Sequence, residues 1–442
     1  MFGSVRRIGL GAIGAFTSCI LFSAGAGAQA LQAETTTELA AAAPQSAAGA
    51  CIRSLDQAIV DAALLVRRCT GYIDTAKASP GEEAAAHLVR AAAYRDLGDE
   101  PHARADDLDA VRLYTSVIDT YEPYPEFVFR RGTAYHALGD IHNALRDYDA
   151  AIRLNPWNVM AFADRGILLS RYENQYNLAV ADFDQALKLA PDNEKILILR
   201  GDTYAAQGKY TEALADLDSA VQIAPRDPDA YTHRASAYGR KGVTDAALRD
   251  YETALSIYPD DFDALLSRAA LYAQSGDGRS AVADMDRALT VRPGNPMALY
   301  NRGYGHFVQR DYEAAIRDYT AAIDASPDFG MAYANRCLNA ALAGRDTETA
   351  MADCDTAVRL LPGRADVRET RAFAHLKYGD NEAAIADYDI ALKTDPNRPL
   401  ALYGRGIARL REGETEAGTA DKQAARALYT NIDREFAPFG VS

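Results

Sequence analysis

Small and apolar residues return along this chain at three- and four-residue spacings, and the whole arrangement recurs every 34 or 35 residues. An Arg followed by a small residue marks each recurrence: Arg90-Ala91, Arg131-Gly132, Arg165-Gly166, Arg200-Gly201, Arg234-Ala235, Arg268-Ala269, Arg302-Gly303, Arg336-Cys337, Arg371-Ala372 and Arg405-Gly406. With that pair numbered 7 and 8, position 11 is tyrosine in five of the ten, at Tyr94, Tyr135, Tyr204, Tyr238 and Tyr272. Alanine fills position 20 or its equivalent (Ala103 through Ala315) and position 27 (Ala110 through Ala322). Between them, position 24 is Tyr148, Phe183, Tyr251, Tyr319 and Tyr388. Such spacing places each set on one face of a helix. Every recurrence therefore predicts two helices, the first carrying the Arg-small pair and the second the Ala-aromatic-Ala face.

Two antiparallel helices approach closely only where Gly or Ala faces its neighbour, so the small positions predict a contact seam and the position-24 ring predicts its seal. Leu138-Gly139-Asp140 and Tyr378-Gly379-Asp380 read as the turns between paired helices, Gly ending one in the left-handed conformation and Asp capping the next. Proline stands at position 32 eight times, at Pro156, Pro191, Pro225, Pro259, Pro293, Pro327, Pro362 and Pro396. It lacks an N–H and pushes its predecessor out of helical geometry, which stops each second helix. The interval from Arg90 to Arg131 is 41 residues, so the first repeat's second helix is expected to run on toward Tyr121. The last repeat has Lys422 in place of the ring and Thr430 in place of proline. Ile432, Phe436 and Phe439 follow, expected to cap the last exposed core.

The combination Arg-Gly-x-x-Tyr, Gly-Asp, Ala-x-x-Asp-Tyr-x-x-Ala and Pro resembles the tetratricopeptide-repeat (TPR) family, and within it an exported bacterial subclass. The resemblance covers roughly residues 84 to 430 and implies an all-α fold, a right-handed α-solenoid of stacked TPR helix-turn-helix repeats. The expected divisions are an N-terminal helical half repeat over 51–83, a first TPR over 84–124 with an extended second helix, nine tandem repeats over 125–430, and a C-terminal cap over 431–442.

The resemblance also implies a non-catalytic scaffold that binds along a concave face built from first-helix positions 2, 5, 9, 12 and 13. Repeats two to six place Glu126, His136, Arg171, Lys195, Asp202, Asp229, Thr232, Ser236 and Arg240 there, a mixed polar surface. Repeats seven to ten place Met297, Tyr300, Tyr304, Phe307, Leu338, Phe373, Leu376, Tyr403, Ile407 and Leu410 there. If exposed, Met297, Tyr300, Tyr304, Phe307, Leu338, Phe373, Tyr403 and Ile407 form a groove for an extended peptide or an amphipathic helix. If later helices cover them, they are core; both readings stand at this point. The Lys and Asn set of a carboxylate clamp is absent from the corresponding positions.

Charge narrows the partners. The formal net charge is −15, and no Lys/Arg run lies beyond the first residues, so nucleic acid is excluded as an expected partner. A hydrophobic content of 48% with 25% charged residues suits amphipathic helices rather than disorder.

The first thirty residues carry Arg6-Arg7, an apolar run from Ile8 to Phe22, and Ala28-Gln29-Ala30, the three parts of a secretory signal expected to be cleaved after Ala30. Periplasm is the expected location, with secretion or attachment to the envelope as alternatives; a lipoprotein reading uses Cys19. Residues 31–50 lack a periodic apolar face and read as a flexible leader. No second segment of membrane-spanning length follows, so the mature chain is expected to carry no transmembrane segment.

Export leaves Cys51, Cys69, Cys337 and Cys354 in a compartment where disulfides persist. Cys337 and Cys354 occupy positions 8 and 24 of one repeat, facing each other across a tight helix interface, and are expected to pair. A continuous helix from Leu55 would hold Cys51 and Cys69 apart, so they pair only if the chain bends between them.

Each Arg is matched by an Asp sixteen or seventeen residues later, as in Arg131 and Asp147, Arg200 and Asp216, Arg302 and Asp318, and Arg405 and Asp421. Repeated pairs strung along a solenoid cannot converge on one substrate and read as ties between paired helices. His306 and His375 stand at position 11, where other repeats place tyrosine, and read as packing residues. No nucleophile elbow, phosphate loop or His-Glu-x-x-His is present, so no catalytic, cofactor-binding or metal-ligating residue and no cofactor is nominated. A protein or peptide is the expected partner. A structural or assembly role in the envelope, with self-association, is the alternative.

Overall fold

Polar side-chain caps and left-handed glycine turns mark many of the helix ends. A computed structural model describes residues 51, 61–74, 78–121 and 123–441. The expected cleavage after Ala30, Cys19 and the 31–50 leader lie outside these residues. In chain order the helices are α1 (Ala62–Ile73), α2 (Pro80–Asp96), α3 (Glu100–Thr120), α4 (Pro125–Ala137), α5 (Ile141–Leu154), α6 (Val159–Arg171), α7 (Tyr176–Leu189), α8 (Glu194–Ala206), α9 (Tyr210–Ile223), α10 (Pro228–Lys241) and α11 (Thr244–Ile257). There follow α12 (Phe262–Gln274), α13 (Gly278–Val291), α14 (Pro296–Val308), α15 (Tyr312–Ala325), α16 (Gly330–Leu342), α17 (Thr347–Leu360), α18 (Ala365–Tyr378), α19 (Asn381–Thr394), α20 (Pro399–Arg411), α21 (Thr415–Leu428) and the short α22 (Ile432–Phe436). No strand occurs among the described residues, and the architecture is an all-α solenoid of antiparallel helix pairs.

The turns follow the predicted chemistry. Gly139 takes φ +79° after α4, and the Asp140 side chain accepts the Asn143 N–H at 3.2 Å to open α5. At the joins after Pro156, Pro191, Pro225, Pro259 and Pro293 the cap is an Asn or Asp two residues past the proline, as where Asn158 accepts from Ala161 at 3.1 Å and Asn193 from Ile196 at 3.1 Å. Phe329, Arg364 and Arg398 hold that place after the last three prolines and give no side-chain cap.

Two compact units divide the chain between Asp250 and Tyr251, within α11. In the first unit, α1 begins only at Ala62, where Asp61 accepts the Ala63 N–H at 3.0 Å, so the helix that holds Cys69 does not extend back to Leu55. Cys51 and Cys69 are disulfide-bonded with Cα atoms 4.8 Å apart, which requires the bend that a continuous helix lacks. Pro80 stands at the start of α2, where Ser79 and Glu82 form a capping box. α3 spans 21 residues against 14 in α5, reaching Thr120 as the longer interval demands.

Within each pair the seam is tight. A Cβ added at Gly132 would lie 2.9 Å from the Tyr148 ring, and one at Gly166 would lie 2.8 Å from the Phe183 ring. In the second unit the same contact joins Gly303 to Tyr319 at 2.9 Å, and Cys337 is disulfide-bonded to Cys354 across the equivalent seam. Position-24 rings Tyr148, Phe183, Tyr319 and Tyr388 are all buried.

Candidate binding surface

The repeated Arg and Asp form a ladder. In all ten repeats the Arg Nε and one terminal nitrogen grip both oxygens of the Asp on the paired helix, for example Arg200 to Asp216 at 2.8 and 2.7 Å and Arg371 to Asp387 at 2.6 and 2.7 Å. The acceptor carboxylates are mostly buried, Asp147 at 2% exposed and Asp216 at 8%. The remaining guanidinium arm reaches back to the preceding repeat, a feature not anticipated above. Arg200 donates to Asp184 at 2.6 Å, Arg234 to Asp218 at 2.9 Å, Arg371 to Asp355 at 2.7 Å, and Arg131 and Arg336 to Thr115 and Thr320. Nine of the ten Arg residues therefore tie their own pair and join it to the element before, Arg268 making the fork to Asp284 alone. Hydrogen bonding by Asp216 pushes the Arg200 guanidinium above its ordinary value. A signal for the second arm was present in the spacing Asp-x-Asp, as at Asp182 and Asp184, Asp216 and Asp218, and Asp387 and Asp389.

With these residues committed to packing, the first unit keeps a charged inner surface on α6, α8 and α10. Arg171, Lys195, Asp202, Asp229 and His233 are all half-buried there. His233 Nδ1 lies 2.7 Å from Asp202, whose carboxylate outweighs the opposing effect of burial and raises the imidazole to about 9. Nearby His136 is pushed down to about 4 by burial, with Arg171 adding to the effect. His233 falls at position 6, outside the inner-face positions 2, 5, 9, 12 and 13, so nothing in the sequence pattern marked it. Beneath this face Asp164 is buried, and burial raises its carboxyl to about 7.

The apolar set of the second unit is not an open groove. Tyr300, Tyr304, Phe307, Leu338, Phe373, Tyr403 and Ile407 are buried, and Met297 is half-buried. Two different neighbours cover them. In the seventh and eighth repeats Asn335 Nδ2, on α16, donates to the Tyr300 hydroxyl at 2.8 Å and the Phe329 ring lies 5.0 Å from the Tyr300 ring, while Tyr304 and Phe307 stack on each other at 5.8 Å. In the ninth and tenth the cover is the chain's own C-terminal segment, with Phe436 and Phe439 on Phe373 and Tyr403. Leu376 is buried with them, while Leu410 is 37% exposed.

The histidines at position 11, His306 and His375, are half-buried beside Asp318 and Asp380 at 3.7 and 3.3 Å. His87, Asp106 and Asp109 bring ligand atoms within 4.8 Å of one another, but Arg90 already grips both oxygens of Asp106 at 2.8 and 2.7 Å, so the cluster is a rung of the ladder. Among the described residues no helix is long and apolar enough to cross a membrane.

Comparison with known families agrees with this architecture over most of the repeats. A tetratricopeptide-repeat profile matches residues 233–296, 271–328, 300–365 and 370–430, a second matches 125–156, and a TPR-repeat profile matches 201–242, together more than half of the chain. The chain belongs to the TPR family. Human tetratricopeptide repeat protein 6 is 30% identical over 118 residues, which is 27% of this chain and 21% of that protein. The Hsp70-Hsp90 organizing protein 2 of Arabidopsis thaliana is 26% identical over 109 residues, 23% of this chain and 19% of that protein. The TPR chain thus spans about a fifth of the length of these curated relatives. The solved human IFIT1 dimer with PPP-AAAA superposes with a TM-score of 0.50 at 14% identity, covering 90% of this chain and 94% of that one, a likeness of fold alone.

Proposed function

We propose that this TPR protein is a non-catalytic scaffold of the bacterial periplasm or cell envelope, which holds an extended segment of a partner protein against the inner face of its first unit. One observation carries the reading. Arg171, Asp202, Asp229 and His233 come from three successive first helices, belong to neither the ladder nor the seams, and stay half-exposed. Charges of both signs placed at intervals along adjacent helices give a peptide polar contacts with defined register. A protein-binding role also fits the family, since a matched stretch belongs to a protein named as an organizer of Hsp70 and Hsp90. Two disulfides and the Arg6-Arg7, Ile8–Phe22, Ala28-Gln29-Ala30 sequence support an oxidising compartment reached by export.

A photoreactive amino acid placed at Asp202 in cells is expected to capture a discrete partner, and the same probe at exposed Gln222 on α9 is expected not to. Equal capture at both positions, or none at Asp202, defeats the inner-face reading. N-terminal sequencing of the mature chain is expected to start at Leu31, and a retained Met1 refutes export with cleavage. A second reading, a structural component of the envelope, is favoured by exposed Tyr121, Tyr124 and Trp157, the last 76% exposed, on turns joining repeats of the first unit. Sedimentation across concentrations tests self-association, which a strictly monomeric chain excludes.

A further inference from the structure

The C-terminal segment belongs to no repeat, yet it packs onto first-helix side chains of the ninth and tenth repeats. Phe373 and Lys377 hold positions 9 and 13 of the ninth repeat, and Tyr403 holds position 5 of the tenth. After α22 the chain makes a short 3-10 turn, Ala437–Phe439. Phe436 packs on the Tyr403 ring at 4.7 Å and on the Phe373 ring at 6.2 Å, and Phe439 meets Phe373 edge-on at 5.6 Å. Both phenylalanines, with Ile432 and Val441, are buried.

Simple cover for an apolar end needs only apolar contacts. Here Lys377 Nζ also donates to the Phe439 carbonyl at 2.6 Å, so a first-helix side chain reads the backbone of the segment. The Tyr403 hydroxyl donates to Asp433 at 2.6 Å, and Arg426 grips Asp433 at 2.7 and 2.7 Å. That last pair is exposed, 44% at Arg426 and 47% at Asp433, and therefore holds the segment only weakly in water. The grip rests on two rings three residues apart and on one backbone carbonyl held by Lys377.

We propose that this surface is a recognition site for peptides carrying two phenylalanines three residues apart, and that Phe436-Ala437-Pro438-Phe439 is its tethered occupant, which a partner segment of the same Phe-x-x-Phe chemistry displaces. The site lies in the second unit and does not rest on the inner-face reading of the first. Tethering explains why it is closed. A segment linked this closely has an effective concentration on the order of millimolar, so an intrinsic Kd of ~10 μM keeps the site about 99% filled and weakens an incoming peptide about 100-fold. A partner therefore binds either with much higher affinity or after the segment is loosened.

The test uses the full chain and a fluorescent synthetic peptide with the sequence of residues 431–442, followed by anisotropy. The Phe436→Ser plus Phe439→Ser variant is expected to bind the peptide about 100-fold more tightly than the wild type, and a peptide carrying the same two substitutions is expected not to bind. Adding Phe373→Ala to the variant is expected to abolish binding. Because the double variant can lose stability, Asp433→Asn provides a second test that keeps both rings and loosens only the exposed latch; it is expected to bind the peptide more tightly than wild type. Hydrogen exchange of residues 432–441 is expected to quicken when peptide is added. Equal affinity for the wild type and both loosened chains, or no binding to any, overturns the proposal and leaves the segment as a cap. Concentration-dependent dimerisation of the wild type, lost with the two serines, overturns the committed partner by assigning the site to a second copy's segment.

Discussion

The ladder makes an ordered prediction at Arg200. Its fork to Asp216 consists of two charge-assisted hydrogen bonds of 2.8 and 2.7 Å, and its third arm reaches Asp184 at 2.6 Å. The two acids are not equivalent, since the Asp216 side chain is 11% exposed and that of Asp184 is 43% exposed. Removing one member of a buried pair costs about 3–5 kcal/mol, because the survivor is left charged and desolvated. Arg200→Ala strands Asp216 and is expected to cost roughly 3–4 kcal/mol. Asp216→Ala leaves an Arg that is about a fifth exposed and still holds Asp184, so about 2 kcal/mol is expected. Asp184→Ala removes an exposed partner and is expected to cost under ~1 kcal/mol. At about 3 °C per kcal/mol for a unit of this size, the first substitution lowers Tm by roughly 10 °C and the last by under ~3 °C. Thermal unfolding followed by circular dichroism, with urea midpoints as a check, measures all three. If Asp184→Ala destabilises as much as Arg200→Ala, the assignment of buried and exposed arms is wrong. Arg200→Lys keeps the charge but not the planar fork and is expected to fall between the extremes.

Three further outcomes follow from individual contacts. Gly404→Ala improves helix propensity by about 1 kcal/mol but drives a Cβ into the buried Tyr388 ring end, so a net loss of about 1–2 kcal/mol in unfolding free energy is expected, whereas a gain would show that the ring moves freely. Asp164 has a folded value of about 7 against 3.8 ordinarily, so the folded state holds its proton more tightly and stability falls as pH rises from about 4 to about 7. Asp164→Asn is expected to raise Tm at pH ~8 and not at pH ~4, and identical pH profiles would contradict the burial argument. His233, raised to about 9 beside Asp202, contributes stability that is complete below its ordinary value and lost as pH passes about 9. Its NMR titration midpoint is expected near 9, His136 near 4, and Asp202→Asn is expected to pull His233 down toward its ordinary range.

Sequence and structure agree most closely where a residue's role is set by its own repeat. Gly132 and Gly303 were legible as seam residues because a side chain there has no room beside Tyr148 and Tyr319. The Arg131-Asp147 and Arg200-Asp216 ties were legible because both partners recur at one spacing. The second arm, Arg200 to Asp184, was present in the same periodicity but joins different repeats, and reading it requires knowing which second helix lies beside which first helix.

The sequence by itself determined the helix pairs, their turns, their seams and the family, since these depend on local geometry and on contacts repeated ten times over. Only the tertiary structure decided which apolar inner-face residues meet solvent. Tyr300 and Phe373 occupy comparable inner-face positions, yet one is met by Phe329 and Asn335 of the next repeat and the other by Phe436 and Phe439. Burial is a property of what lies opposite a side chain, and for these residues that neighbour comes from another repeat or from the C-terminal segment. The same holds for Cys51 and Cys69, whose pairing depends on how the chain bends between them rather than on the 18 residues that separate them.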